Sequence, residues 1–273
     1  MAIVTRRATF WLTLVFCAAA VVSSLGGVFF ERTLYSADTP YWTAQVWGQD
    51  LVTLVLLLPV LAASAVGLRR GYAAAMPVWF GLALFLFYVY ACYGFTLHFN
   101  RMFAVHCAAF GMTVYMLVLA MRGADAEGAR DWFGVRTPVW PAVAYLGVVG
   151  VAMTAFWLVQ LIPATLAARL PDYAVLDGYS TSPIHLLDLG IFFPGFIATA
   201  VLLSRRAVIA YVLAPALIVY SVVMTFCLIE QAAVLSSRGF DGGLEFTPVF
   251  GGVLAAGLAV LVWGYRIRSR AGK

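Results

Sequence analysis

Charge is what this chain has least of. Only 11% of its 273 residues are Asp, Glu, Lys or Arg, against about 25% in a soluble domain, and the mean hydropathy is +0.95. That scarcity excludes a water-soluble fold. Lysine is nearly missing, since Lys273 is the single one. No stretch outside the apolar runs is long enough for a soluble domain. The net charge of +5 therefore does not read as a nucleic-acid signal, because its source is short arginine loops. The four cysteines, Cys17, Cys92, Cys107 and Cys227, form no CxxC pair and lie inside apolar runs, so they read as small buried hydrophobes. A Gly-rich phosphate loop, a GxSxG, an HExxH, a Ser–Lys pair and a CaaX end are all lacking.

What the chain has instead is long hydrophobic runs. Eight are read, at about 8–30, 50–68, 73–96, 102–121, 139–164, 184–204, 207–234 and 247–265. Each is near the roughly 20 residues that a bilayer-crossing helix needs. They are uninterrupted rather than alternating, which predicts an all-α integral membrane protein rather than a barrel. The first run, with Ala18-Ala19-Ala20 inside it, has the look of a signal peptide. It is long enough to span, and it fits the orientation of the later runs, so it is kept as the first helix.

The arginines set the expected orientation. With the N-terminus inside, Arg6, Arg7, Arg69, Arg70, Arg122, Arg130, Arg136, Arg205, Arg206, Arg266, Arg268, Arg270 and Lys273 face the cytoplasm. Only Arg32, Arg101, Arg169 and Arg238 face outward. This asymmetry predicts eight spans with both termini cytoplasmic. The polar segment 122–138 reads as a cytoplasmic linker inside a single membrane domain, 1–273. It separates two stretches, 1–121 and 139–266, of similar layout: each has a long outer loop, an Asp-Leu, a proline and an Arg-Arg pair in its second helix. Two explanations stay open, tandem duplication of a four-helix unit and coincidence in a low-complexity apolar chain. Duplication would make Asp50 and Asp188 symmetry mates facing each other. The outer-loop aromatics Tyr35, Tyr41, Trp42, Trp47, Tyr173 and Tyr179 read either as an interfacial belt or as a lid.

Nearly every ionisable group within the runs falls at the outer face. The candidate binding or coupling residues are Gln49, Asp50, Tyr88, Tyr90, His98, Asn100, His106, His185, Asp188, Glu230 and Gln231. Charge in or near hydrocarbon is costly and marks sites or pathways. His185 and Asp188 share a helix face, so the aspartate is expected to orient the imidazole. The simpler alternative is that Asp50 and Asp188 cap helix N-termini. Glu230 is the favoured proton carrier, unless the seventh helix merely ends there. His98, His106 and His185 together with a carboxylate would make a zinc set. Their spacing matches no ligand motif, so neither zinc nor haem is expected.

The segments WGQDLV, YVYACYGF and LLDLGIFFP hold Gln49, Asp50, Tyr88, Tyr90, Asp188 and Pro194. They resemble segments of a family of uncharacterised bacterial polytopic membrane proteins. The likeness covers about the middle half of the chain and implies no activity. Together these readings predict a multi-pass protein of the bacterial inner membrane. It would be a transporter or permease with an outward-facing polar site for a small solute or cation, coupled to protons. The alternatives are an outward-facing enzyme acting on a lipid or a quinone, by metal or acid–base chemistry, and a membrane sensor or assembly factor. Expected partners are membrane lipids and a small molecule or ion from the outer face. Nucleic acid is not expected, and oligomeric state is not legible.

Overall fold

The computed structural model describes residues 3–124, 129, 138–241 and 243–271. Most of the segment 122–138, expected as a linker, lies outside these residues. The described residues are helical and contain no strand. Eight helical spans are long and apolar enough to cross a membrane: Thr5–Leu34, Pro40–Arg69, Ala75–Thr96, Phe103–Gly123, Trp140–Leu166, Pro183–Ser204, Ala210–Ser237 and Leu244–Gly264, here spans 1 to 8. Each satisfies its backbone internally, which is what lets such a run enter hydrocarbon.

Two boundaries differ from the sequence reading, and both differences move a candidate residue. Span 2 starts at Pro40, not near residue 50. Thr39 is its N-cap, accepting a hydrogen bond from the Trp42 amide at 3.2 Å, and Pro40 occupies the first turn. Thr43, Gln45 and Gln49 made this stretch look like loop. They are instead the polar face of a helix turned into the bundle. Asp50 is therefore deep in the span, 1% exposed, and caps nothing. Span 7 runs on to Ser237, so Glu230 lies within it and does not end it.

Spans 2 and 6 share a local device. Each contains five π-helical residues, Thr53–Leu57 and Asp188–Phe192, and in each a proline follows two residues later, Pro59 or Pro194. The Leu58 amide bonds back to Thr53 and the Phe193 amide to Asp188, one residue beyond the α-helical reach. A proline lacks an N–H and its ring crowds the carbonyl four residues back, so a widened turn relieves both problems. Counted from these prolines, Thr53 corresponds to Asp188 and Asp50 to His185. The Asp50–Asp188 pairing drawn from the sequence does not match this register.

Spans 3 and 7 form the centre. Gly81 of span 3 allows the Ala216 carbonyl and the Val219 side chain of span 7 to come close, and any Cβ at Gly81 would collide with both. Span 1 packs on spans 2 and 4, and span 3 on span 4. In the second half, span 6 packs on span 5 through Gly150, and span 7 on span 8. Spans 5 and 8 meet only loosely, which leaves the space described below. The most apolar stretch of span 3 is 67% buried and that of span 8 only 6%, so span 8 presents its Val and Leu outward, as lipid contact requires. Gly251 and Gly252 of span 8 face open space.

Candidate functional site

The candidate residues gather toward one end of the bundle, where spans 2 and 6 begin and spans 3 and 7 finish. They form three neighbourhoods.

The first lies among spans 1 to 4. Asp50 Oδ1 accepts hydrogen bonds from Ser24 Oγ at 2.8 Å and from Tyr93 OH at 3.2 Å. Tyr35 OH stands near the same carboxyl group, but neither it nor Asp50 Oδ2 has a hydrogen-bond partner among the described residues. The carboxyl group fills the space above Gly27 of span 1, where no side chain would fit. His106 shares a hydrogen bond with Ser23 Oγ at 3.1 Å, and Tyr90 joins the same serines. No basic residue pairs with Asp50 among the described residues. Neutral hydroxyls hold its Oδ1 instead, without importing a second charge.

The second is the seam between spans 2 and 7. Glu230 packs its carboxyl group over Gly48, with Oε2 at 2.9 Å from where a Cβ would stand. Both Glu230 oxygens are buried, and neither has a hydrogen-bond partner among the described residues. Beside it, Gln49 donates to Thr53 Oγ1 at 3.1 Å and accepts from Gln231 at 3.4 Å. An ion pair of Arg238 with Glu31 closes this seam at its end, with Arg238 lying 5.0 Å over the Trp47 ring.

The third is a cavity of about 350 Å³ enclosed by spans 2, 3, 5, 6, 7 and 8. Gln49 and Gln231 reach it from the seam. Asp188 stands in its wall, accepting a hydrogen bond from Trp157 Nε1 at 2.7 Å, with Tyr88 as a further donor. The cavity runs down to Phe85, Phe196 and Tyr220, near the middle of spans 3, 6 and 7. Tyr220 stacks on Phe192 at 4.4 Å between ring centres, 7° from parallel, which stiffens the floor.

Over the mouth lies a short helix, Asp172–Asp177, ended by Gly178 at φ 80°, a left-handed conformation that glycine adopts without strain. It brings Asp177 to the cavity, a residue the sequence reading passed over because it sits in a loop. Asp177 Oδ1 accepts from Gln45 at 2.8 Å and is 5% exposed. Its burial pushes the carboxyl up to about 7, against the opposing hydrogen bonds from Gln45 and Tyr179. Tyr173, pushed up to about 12 by burial, also lines the cavity. Tyr35, Trp42 and Tyr179 are 2%, 6% and 6% exposed, so these aromatics are packed inside rather than spread in an interfacial belt.

Several expectations need correction. Asp188 does not orient His185. Its partner is Trp157, while His185 Nδ1 contacts Tyr173 OH at 2.9 Å and Ser182 Oγ at 2.6 Å. Three residues of helix put the two side chains near each other, but the loop helix captures the imidazole. Asp50 and Asp188 are not bonded to each other: Asp50 turns to Ser24 of span 1 and Tyr93 of span 3, Asp188 to Trp157 of span 5. His98 and Asn100 are loop residues outside the cluster. His98 bonds Asp38 at 2.9 Å at the surface, and Asn100 Oδ1 caps the turn into span 4 by accepting from the Met102 amide. The three histidines are not brought together, since each has its own separate partners. No group of three or more His, Cys, Asp or Glu with metal-ligand geometry occurs among the described residues.

No known protein family matches this chain, and neither a curated protein nor a solved structure is significantly similar to it.

Proposed function

We propose that this protein is a small permease of the bacterial inner membrane, with the cavity as its outward-facing solute site and Glu230 as its proton-exchanging group. The observation that carries the reading is the shape of the cavity. It descends to mid-span and stops on Phe85, Phe196 and Tyr220, and span 6 flanks it over that depth with its π-helical turn Asp188–Phe192 and Pro194, between the lining residues Asp188 and Phe196. A half-depth cavity beside a bendable helix is what one state of an alternating carrier needs. Glu230 supports coupling, because two buried, unpartnered carboxyl oxygens are poorly suited to holding a fixed negative charge. With the arginine-rich end inside, the cavity opens outward.

A second reading rests on His185. Its Nδ1 is held by Tyr173 and Ser182, and its Nε2 is buried without a partner. An imidazole held in this way is a candidate general base for an outward-facing enzyme acting on a lipid or a quinone.

Alternating access separates the two without knowledge of the solute. In a background lacking Cys17, Cys92, Cys107 and Cys227, Met224→Cys on the cavity wall should react with an impermeant maleimide added outside. Thr199→Cys, 3% exposed beyond the floor, should react with the reagent from the inside in inverted vesicles. If Met224→Cys reacts while Thr199→Cys stays silent from both sides, the permease reading is wrong and the enzyme reading takes its place.

A further inference from the structure

The cavity wall has a sign. Two carboxyl groups stand on it, Asp177 and Asp188, and no lysine or arginine is among its described lining residues. Neither aspartate takes part in an ion pair among the described residues. Each is held by neutral donors, Gln45 at 2.8 Å for one and Trp157 at 2.7 Å for the other. Apart from Gln45, Gln49, Gln231, Ser221 and Thr225, the rest of the wall is mainly apolar and rich in aromatic faces, among them Trp42, Tyr88, Trp157 and Tyr173.

This combination discriminates between solute classes. An anion would meet two acids with no compensating cation. A small metal ion needs about six oxygen ligands, and the wall is mainly carbon. A neutral hydrocarbon would fill the space but leave the acids unused. A cation with an apolar body satisfies all the elements together. Its charge is attracted by carboxylates and by the negative faces of the aromatic rings, and its body replaces water on the apolar wall.

Resting on the permease reading of this cavity, we infer that its solute is a lipophilic organic cation, an amine or quaternary onium, whose charge is met by Asp188 and Asp177 and whose body lies on the aromatic wall.

Cation binding should also depend on pH through Asp177, beside the exchange assigned to Glu230. Asp177 is faced by Gln45 from span 2, by Tyr41 at the start of that span, and by Tyr173 and Tyr179 from the loop. Asp188 is faced by Tyr88, Trp157, Tyr173 and Tyr220, and Cys92 of span 3 faces both aspartates. None of these is basic, and the nearby base His185 is turned by its Nδ1 to Tyr173 and Ser182, with no contact to either aspartate among the described hydrogen bonds. A proton and an organic cation therefore compete for Asp177. With the Asp177 carboxyl pushed up to about 7 by burial, cation binding should tighten as pH rises toward and past neutrality.

The test uses two ions of the same shape and opposite charge. Binding of tetraphenylphosphonium and of tetraphenylborate to the intact protein in mild detergent is followed by tryptophan fluorescence and calorimetry. Benzyltrimethylammonium and neutral neopentylbenzene form a second, smaller pair. The expected result is saturable binding of the cation in at least one pair and none of its counterpart. Asp188→Asn should weaken it about tenfold or more, as should Asp177→Asn, with binding unchanged in Glu245→Gln, an exposed acid outside the cavity lining. Asparagine keeps an acceptor for Trp157 or Gln45, so these variants retain the fold, checked by thermal unfolding. Equal binding of counterparts, no binding of either cation, or cation binding indifferent to both variants would overturn the assignment. The two readings fail separately. Selective cation binding with a silent Thr199→Cys refutes transport but keeps the cation site, whereas inward labelling without cation selectivity keeps transport and refutes the solute class.

Discussion

The carboxyl group of Asp50 occupies the space that a side chain at Gly27 would need, and the two residues lock spans 1 and 2 together. Glu230 and Gly48 repeat the arrangement between spans 7 and 2. Both acids are thus seated on bare backbone, but they differ in freedom. Asp50 is short and pinned by Ser24 and Tyr93. Glu230 is longer and carries no hydrogen bond among the described residues.

That difference predicts an order of stability. Gly27→Ala should cost about 1–3 kcal/mol, because the displaced Asp50 loses its donors. Gly48→Ala should cost less, because the Glu230 side chain can swing aside. Reversible unfolding in mixed SDS micelles measures both. The Gly27→Ala penalty should shrink in an Asp50→Ala background, and a penalty unchanged there would show that the acid is not what fills the space.

Asp177 predicts a pH dependence. Its carboxyl is pushed up from 3.8 to about 7 by burial, so the folded chain binds this proton more tightly than the unfolded chain does. The resulting stabilisation is fully present below about pH 4 and is lost as pH rises to about 7. Asp177→Asn keeps the acceptor for Gln45 and carries no charge. Compared with the natural chain, the variant should gain relative stability between pH 4 and 8, with the difference levelling off above neutrality. Parallel curves over that range would contradict the assignment.

Trp157 is predicted to matter through one hydrogen bond. Trp157→Phe keeps an aromatic wall but removes the donor to Asp188, and should cost about 1–3 kcal/mol. The penalty should fall to near zero in an Asp188→Leu background. If it persists there, packing rather than the bond explains the conservative substitution's effect.

Much of the architecture was legible without coordinates, for a simple reason. Hydrocarbon admits only helices or closed barrels, so uninterrupted runs such as 73–96 and 207–234 announce spans by composition alone. The polar end was legible too, because an acid such as Asp188 or Glu230 stands out in an apolar run. Boundaries were less so. The start of span 2 was missed because Thr43, Gln45 and Gln49 look like loop until there is a bundle for them to face. Asp177 was missed because a loop acid is ordinary in sequence and becomes unusual only when buried.

By itself, then, the sequence determined which segments are helical spans and at which end ionisable groups collect, since both follow from what a membrane excludes. Tertiary structure decided which groups meet. Asp50 turned to Ser24 and Tyr93, Asp188 to Trp157, His185 to Tyr173, and Glu230 to bare Gly48. Those choices depend on the rotation of each helix about its axis and on where glycines permit close approach. With apolar residues on every face, no periodicity along the chain specifies that rotation.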